Sequence, residues 1–170
     1  MRRFLIAFGV VLVALMAAQL THPVQRMLVL PWTEALTRAS AWLITLADPQ
    51  VAAAGNVLRS TRNGFAVSIE PGCNGIEAAM VLLAAVIAFP APWRHRLLGM
   101  AAGLSAVQAL NIVRVISLFY LGQWSMRAFE WAHLYAWQAL IMLDVLVVVL
   151  VWMRMTPVAD SPPPSGQPAA

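Results

Sequence analysis

Charged residues are scarce in this sequence, and lysine is absent altogether. Only 11% of the 170 residues are charged, whereas about 25% is usual in a soluble domain. Apolar residues make up 61% of the chain, and the mean hydropathy is +0.76. So few charges cannot cover the surface of a water-soluble globule, which excludes a cytosolic enzyme, a disordered chain and a nucleic-acid-binding module. We therefore expect an integral membrane protein.

Cysteine occurs once, at Cys73. A single cysteine cannot form an internal disulfide, a Cys-x-x-Cys redox pair or a structural zinc site. This count excludes a thiol–disulfide oxidoreductase. Nothing else in the sequence indicates a metal, a nucleotide or an organic cofactor. If Cys73 takes part in chemistry, it acts as a thiol.

Four apolar runs approach the roughly 20 residues that a helix needs to cross the hydrocarbon core. They are Phe4–Leu20, about Gly75–Phe89, Leu97–Leu121 and about Leu134–Met153. The first run has basic residues before it, as a signal peptide does, but it is long for a signal core and no clear Ala-x-Ala site follows, which favours an uncleaved anchor. We predict an all-α membrane protein, a bundle of about four transmembrane helices.

Arginines predict the orientation of this bundle. By the positive-inside rule, basic residues in short loops lie in the cytoplasm. One face of the bundle carries arginines before the first run, in the tight turn between the second and third, and after the fourth: Arg2, Arg3, Arg94, Arg96 and Arg154. We therefore expect both termini to be cytoplasmic, in a multi-pass membrane protein.

The stretch between the first two runs contains two predicted outer-face elements. Pro31–Ala47 has apolar residues at helical spacing and two tryptophans, which predicts a helix lying in the membrane interface. Asn56–Arg59 and Phe65–Ile69 are short β-type runs separated by Arg62-Asn63-Gly64, a hairpin signal. We expect a small β-hairpin that leads the chain to Cys73.

These elements divide the chain into four parts. We predict an N-terminal transmembrane anchor (1–21), an outer-face periplasmic segment (22–72), a three-helix core (73–155) and a disordered cytoplasmic tail (156–170). The tail is rich in proline and serine, which is typical of a linker.

Polar residues interrupt the third run at spacings of three, which places Gln108, Asn111 and Arg114 on one slowly turning stripe. Arg114 lies about seven residues, or roughly 10 Å, inside the outer end of this run. A guanidinium at that depth must face protein or water and find an anionic partner. Glu77 in the second run is the candidate, either as a structural counter-ion or as a catalytic residue.

Two further polar residues lie within the helices. Asn111 orients either a ligand or the Arg114 side chain, and the sequence does not separate the two roles. Asp144 lies in the middle of the fourth run near the depth of Gln108. We expect a buried hydrogen bond between Asp144 and Gln108.

Cys73, Arg114 and His133 each lie toward the outer end of their own helix, so alternating helix directions bring them to one face. We place Cys73 at or near a helix N-terminus, where the dipole favours a thiolate of low pKa, and Arg114 acts in the same direction. Cysteine acyl transfer uses a thiol as nucleophile, an imidazole to move protons and a guanidinium to stabilise developing negative charge. Each residue also has a purely structural explanation, because buried cysteines and interfacial histidines are common.

At these positions the sequence resembles the exosortase/archaeosortase family. The resemblance covers about residues 70–155 and depends on Pro71-Gly72-Cys73-Asn74-Gly75-Ile76-Glu77, on Asn111-Ile112-Val113-Arg114 and on His133. In that family a Cys, an Arg and a His or second Arg lie at the outer ends of three successive transmembrane helices. The cysteine segment and the Asn-x-x-Arg segment together are specific for this family, whereas either segment alone is weak evidence.

The resemblance implies a cysteine transpeptidase or protease embedded in the inner membrane of a Gram-negative cell. Its partners would be exported proteins with a C-terminal sorting tail, composed of a motif, a transmembrane helix and a basic end, and an envelope acceptor. Cys73 would be the acyl-thioester nucleophile, Arg114 the proton donor or charge stabiliser, and His133 the transition-state stabiliser or general acid/base. Asn74, Glu77 and Asn111 would support them. We expect the hairpin and the interfacial helix to dock the extended motif, as an added strand or as a lid.

The chain departs from many exosortases in having only one run before the core, where they carry additional N-terminal membrane helices. It is therefore most similar to the short-form exosortase H type, which implies an IPTLxxWG-type tail motif.

Another interpretation is a non-catalytic membrane assembly or scaffold subunit, in which Arg114 and Glu77 form a structural pair. A haem carrier fits poorly, because His22 and His95 lie in flanking loops rather than opposite His133.

Overall fold

The computed structural model describes residues 2–156, and it is a bundle of helices with a small antiparallel sheet at one end. Three helices are long and apolar enough to cross a membrane: α1 (Arg2–Gln19), α5 (Trp93–Trp124) and a composite last helix (Met126–Met155). The predicted all-α membrane fold is confirmed.

The second apolar run forms the shorter helix α4 (Ile76–Ala88), which has 13 residues. At 1.5 Å per residue such a helix is about 20 Å long, whereas the hydrocarbon core is about 30 Å thick. The run was expected to reach Phe89 and begin at Gly75, and these two residues are the caps of the helix. Helix α4 packs against α1, α5 and the last helix.

The last helix is built from three segments. A short helix α6 (Met126–Trp131) continues through a π-helical turn (Ala132–Ala136) into α7 (Trp137–Met155). The hydroxyl of Ser125 accepts a hydrogen bond from the backbone N–H of Ala128 and caps its start. The helix therefore begins before the predicted Leu134, and His133 lies within it rather than at its head.

The predicted outer-face helix is present and longer than expected. It begins with α2 (His22–Val24), passes through a π-helical turn (Gln25–Val29) and continues as α3 (Leu30–Thr45). One side of α3 is buried, with Thr37 and Ser40 fully inaccessible. Each of the buried hydroxyls of Thr33 and Thr37 donates to a carbonyl one turn earlier in the chain, which lets small polar residues line a packed helix face.

The sheet has three strands in the order β1 (Val51–Ala54), β2 (Val57–Ser60) and β3 (Ala66–Ser68), all antiparallel. The predicted hairpin corresponds to β2 and β3, joined at Asn63-Gly64, where Gly64 adopts a φ of +76°. Asn63 accepts a hydrogen bond from the backbone N–H of Phe65. The strand β1 was not predicted.

Two apolar clusters hold these elements together, and α5 contributes to both. The first lies under the sheet and contains Leu36, Ala41, Ile44, Val51, Leu58, Ile69, Val115 and Phe119. The second lies among α4, α5 and α7 and contains Ala78, Leu82, Val86, Val107, Ile141, Val145 and Trp152. Because α5 joins the two, it fixes the sheet relative to the membrane helices. The predicted disordered tail falls, except for Thr156, outside the described residues.

We expect Gly99→Ala in α5 to destabilise the bundle. An added Cβ would overlap the indole ring of Trp152, which also donates a hydrogen bond of 3.1 Å to the carbonyl of His95. Overpacking of this kind costs about 1–3 kcal/mol. The measurement is the unfolding midpoint in detergent. Gly9→Ala in α1 is the control, since its Cβ would meet nothing within 4 Å, and an equal loss in both variants would contradict the prediction.

Candidate functional site

Cys73 lies in the turn that connects β3 to α4. Its backbone N–H donates a 2.9 Å hydrogen bond to the carbonyl of Glu70, which closes a tight turn. The side chain is half-buried and packs against the apolar cluster under the sheet. Helix α4 begins with Gly75 as its N-cap, so Cys73 lies just before the helix N-terminus. The thiol is thus held by a closed turn and is partly covered.

The structure brings Arg114 and His133 to this thiol. The Nη2 atom of Arg114, on α5, lies 3.7 Å from Sγ of Cys73. Both ring nitrogens of His133 lie 3.9 Å from the same sulfur. The three side chains therefore meet, although 41 and 60 residues separate Cys73 from its two partners.

Each partner is held in place by its own helix. The Arg114 side chain is almost completely buried, at 3% exposure. The His133 ring stacks on Phe129, with ring centroids 5.6 Å apart and planes 5° from parallel. Phe129 precedes His133 by one helical turn, which explains the contact. Phe129 was not predicted as a site residue, since one more aromatic residue in a membrane helix carries no signal.

A small cavity of about 40 Å³ joins the three side chains to the sheet. It is lined by Val67, Ser68, Ile69, Cys73, Arg114, Val115, Leu118, Phe129 and His133. Its walls are mostly apolar, and the polar groups converge on the sulfur. Such a site can hold a single carbonyl group beside a nucleophile, with a base and a cation in reach.

Asn74 anchors the Cys73 turn to helix α3. It is fully buried, and its Nδ2 donates a 3.0 Å hydrogen bond to the hydroxyl of Thr33. Its Oδ1 accepts from the backbone N–H of Ile76, and its carbonyl accepts from the indole N–H of Trp32. Asn74 thus positions the turn. Trp32 and Thr33 were not predicted as hydrogen-bond partners of Asn74. A tryptophan is expected in an interfacial helix in any case, so Trp32 gave no signal of this contact.

Glu77 does not pair with Arg114, and the expected ion pair is wrong. Its Oε1 accepts hydrogen bonds of 3.1 Å from the backbone N–H of Gly72 and from Nε2 of Gln19. Glu77 therefore ties the Cys73 turn to the end of α1. Within residues 2–156, the ion pairs are Arg38–Glu34 and Arg62–Asp48 only.

The predicted hydrogen bond between Gln108 and Asp144 is also wrong. The Nε2 of Gln108 donates to the carbonyl of Gly75 instead, at 3.3 Å. Gly75 has a φ of +74°, and a Cβ there would come within 2.8 Å of Gln108. A glycine is therefore required both by the backbone and by the close approach of α5.

Asn111 lies beside the same glycine and is fully buried. Neither atom of its amide group has a hydrogen-bond partner within residues 2–156, and the same is true of Nε of Arg114. The structure therefore does not choose between the two roles expected for Asn111. Buried polar groups in native proteins are nearly always paired, so this stripe of α5 is equipped to bind a polar group.

The electrostatics of Cys73 differ from the expectation. The residue lies outside the membrane-spanning helices, and burial raises the pKa of its thiol. The Arg114 guanidinium lowers the pKa, as predicted, while Glu77 and Glu70 raise it. Burial dominates, so the predicted thiolate of low pKa is wrong for the resting site. With its pKa raised, Cys73 is a neutral thiol beside the His133 imidazole.

No group of three histidine, cysteine, aspartate or glutamate side chains within residues 2–156 is placed to hold a metal ion.

The fold and this site define a multi-pass membrane protein with a cysteine, a histidine and an arginine at one small cavity. The sequence profile of the transmembrane exosortase family (Exosortase_EpsH) matches residues 1–152. The chain belongs to this family, and it is a membrane protein of protein sorting. No curated protein and no solved structure matches the chain.

We expect alkylation of Cys73 by iodoacetamide to follow a pH profile whose midpoint lies above that of a free cysteine peptide, because burial raises the pKa. Arg114→Gln removes a positive charge that lowers the pKa, so the midpoint moves further up. Arg114→Lys keeps the charge and serves as one control, and Arg59→Gln, an exposed arginine of β2, serves as the other. A midpoint below that of the peptide would refute this account.

Proposed function

We propose that this exosortase is a membrane-embedded cysteine transpeptidase or protease that cleaves the C-terminal sorting signal of exported proteins. The observation that carries the proposal is the convergence of a thiol, an imidazole at 3.9 Å and a guanidinium at 3.7 Å on one cavity. Cys73 is the nucleophile, His133 the general acid/base and Arg114 the charge stabiliser. Asn74 and Glu77 position the turn that carries Cys73, and Asn111 supports Arg114 or a ligand.

The first half of the reaction forms a thioester. His133 takes the proton of the Cys73 thiol as Sγ attacks the scissile carbonyl carbon, because the resting thiol is neutral. Arg114 stabilises the negative charge that develops on the carbonyl oxygen, and the low dielectric of the site strengthens this interaction. The C–N bond then breaks, and His133 gives the proton to the leaving amine. The released product is the tail that contains the client's transmembrane helix.

The second half transfers the client. An amine of an envelope acceptor, or water, attacks the thioester carbonyl and gives a proton to His133. The bond to Sγ breaks, and the thiol regains its proton from His133. The client then carries a new group at its shortened C-terminus.

We assign the protein to the inner membrane, with the site toward the periplasm and both termini in the cytoplasm. The arginines at the predicted cytoplasmic ends support this orientation. We also propose a client with an IPTLxxWG-type motif, which the resemblance to the exosortase H type implies. The alternative of a scaffold subunit depended on an Arg114–Glu77 pair, and Glu77 bonds to Gly72 and Gln19 instead.

We expect tail removal to depend on Cys73. The client is a reporter protein with an IPTLxxWG-type motif, an apolar helix and a basic end, expressed with wild-type enzyme or with Cys73→Ala. Its intact mass should fall by the mass of the tail with the wild type only, and any added mass identifies the acceptor. Cys73→Ser is the matched variant, since it preserves volume but lacks the sulfur nucleophile. Cleavage by a folded Cys73→Ala enzyme would disprove the thioester mechanism.

We expect His133→Gln to slow cleavage by about 100-fold or more, because general acid–base catalysis contributes 10²–10⁴. Arg114→Lys should lose about 10-fold to 100-fold, since the charge remains while the planar donor fork is lost. Single-turnover cleavage of the same client in detergent measures both. Arg127→Gln, an exposed arginine on α6, is the control and should cleave as the wild type does. Equal rates for His133→Gln and the control would contradict the role of His133.

A further inference from the structure

Strand β3 is an edge strand, and within residues 2–156 the backbone groups on its outer edge have no hydrogen-bond partner. In the ladder, the N–H of Ser60 donates to the carbonyl of Phe65, and the N–H of Ile69 donates to the carbonyl of Asn56. Antiparallel pairs alternate between bonded and non-bonded, so Phe65, Val67 and Ile69 face β2. The backbone N–H and C=O groups of Ala66 and Ser68 therefore point away from the sheet.

This edge runs into the cavity of Cys73. The cavity is lined by Val67, Ser68 and Ile69 in succession, together with Cys73 and His133. Successive side chains of a strand point to opposite faces, so a cavity that contacts three in a row lies along the edge rather than on one face. A polypeptide bound along this edge arrives at the thiol.

The edge is short and is held firmly in place. Nδ2 of Asn56 bonds to the hydroxyl of Ser68 at 3.0 Å and to the carbonyl of Ile69 at 3.3 Å. Both Ala66 and Ser68 are exposed, and their side chains are small. The edge is therefore preformed and accessible from outside.

We propose that the free edge of β3 binds the client polypeptide next to its scissile bond as a fourth strand of the sheet. The backbone of Ala66 and Ser68 exchanges hydrogen bonds with the client, which presents an extended chain to Cys73. This proposal rests on the proposed function and adds the docking surface. A strand of three residues makes only a few hydrogen bonds with the client, which is also held at the membrane by its own helix.

The other candidate docking element, helix α3, does not act as a lid. It is bound to the Cys73 turn by the hydrogen bonds of Trp32 and Thr33 to Asn74. Its inner side belongs to the apolar cluster under the sheet. Helix α3 is thus part of the fixed framework, and the strand edge remains as the surface for the extended motif.

The first test removes the N–H of Ser68. Ser68→Pro deletes one outward N–H donor and leaves the hydrogen bonds between β2 and β3 intact. Edge strands accept proline at such a position. We expect cleavage of the reporter client to fall by about tenfold or more, and Ser68→Ala, which keeps the N–H, to lose less. Ala53→Pro makes the same change on the opposite edge, in β1, and should keep wild-type cleavage. Wild-type cleavage by a folded Ser68→Pro enzyme would overturn the proposal.

The second test does not need catalysis. In the Cys73→Ala background the chain has no other cysteine, so Ala66→Cys and Ser68→Cys introduce single thiols. Client variants with one cysteine at successive motif positions are then tested for disulfides. A paired strand gives two preferred client positions that differ by two residues, because both chains are extended. Disulfides without this register, or none at all, would overturn the proposal even if Ser68→Pro misfolds.

The two tests separate this inference from the proposed function. If the wild-type enzyme leaves the client intact but the disulfides show the register, docking is right and the assigned chemistry is wrong. If the wild-type enzyme cleaves the client but neither test gives the expected result, the proposed chemistry is right and the client does not bind along the edge of β3.

Discussion

The rest of the site depends on the hydrogen bonds that hold the Cys73 turn. Asn74 binds the turn to helix α3 through its side chain and its carbonyl. Glu77 accepts the N–H of Gly72 and connects the turn to Gln19 at the end of α1. A turn fixed from both sides keeps the thiol within reach of side chains on two other helices. Small errors of position are costly in catalysis, and here the position is set by one buried hydrogen bond, from Asn74 to Thr33, and by three that are partly covered or exposed.

Much of the fold was predictable because each element leaves a strong local signal. Apolar runs that approach the length of a bilayer span predicted α1, α4, α5 and the last helix, and Asn63-Gly64 between alternating residues predicted the hairpin. Strand β1 was missed because Val51–Ala54 is mostly alanine, a residue with little strand preference. The strand forms because it pairs with β2 and packs against α3, and not because its own residues favour a strand. The exact ends of the helices were shifted for a similar reason, since caps depend on tertiary contacts.

In the site, depth and helix direction predicted that Cys73, Arg114 and His133 lie together, and the structure brings them to one cavity. The partners of the supporting residues were not predictable. Glu77 was paired with Arg114 on charge and depth, yet its carboxylate accepts hydrogen bonds from the N–H of Gly72 and the amide of Gln19 instead. The thiolate was expected from the helix dipole and Arg114, yet burial raises the pKa of the thiol by more than the Arg114 charge lowers it. Which neighbour lies nearest, and how much water is excluded, are properties of packing.

The spacing of the three side chains along the chain has a consequence for how the protein is made. The thiol and the guanidinium are synthesised first, and the imidazole follows the thiol by 60 residues. At ordinary rates of translation that interval lasts about 3–12 seconds. During it the nascent chain already contains the sulfur, but not the residue proposed to take its proton. By the proposed mechanism, acyl transfer therefore cannot begin until the segment that carries His133 has been made.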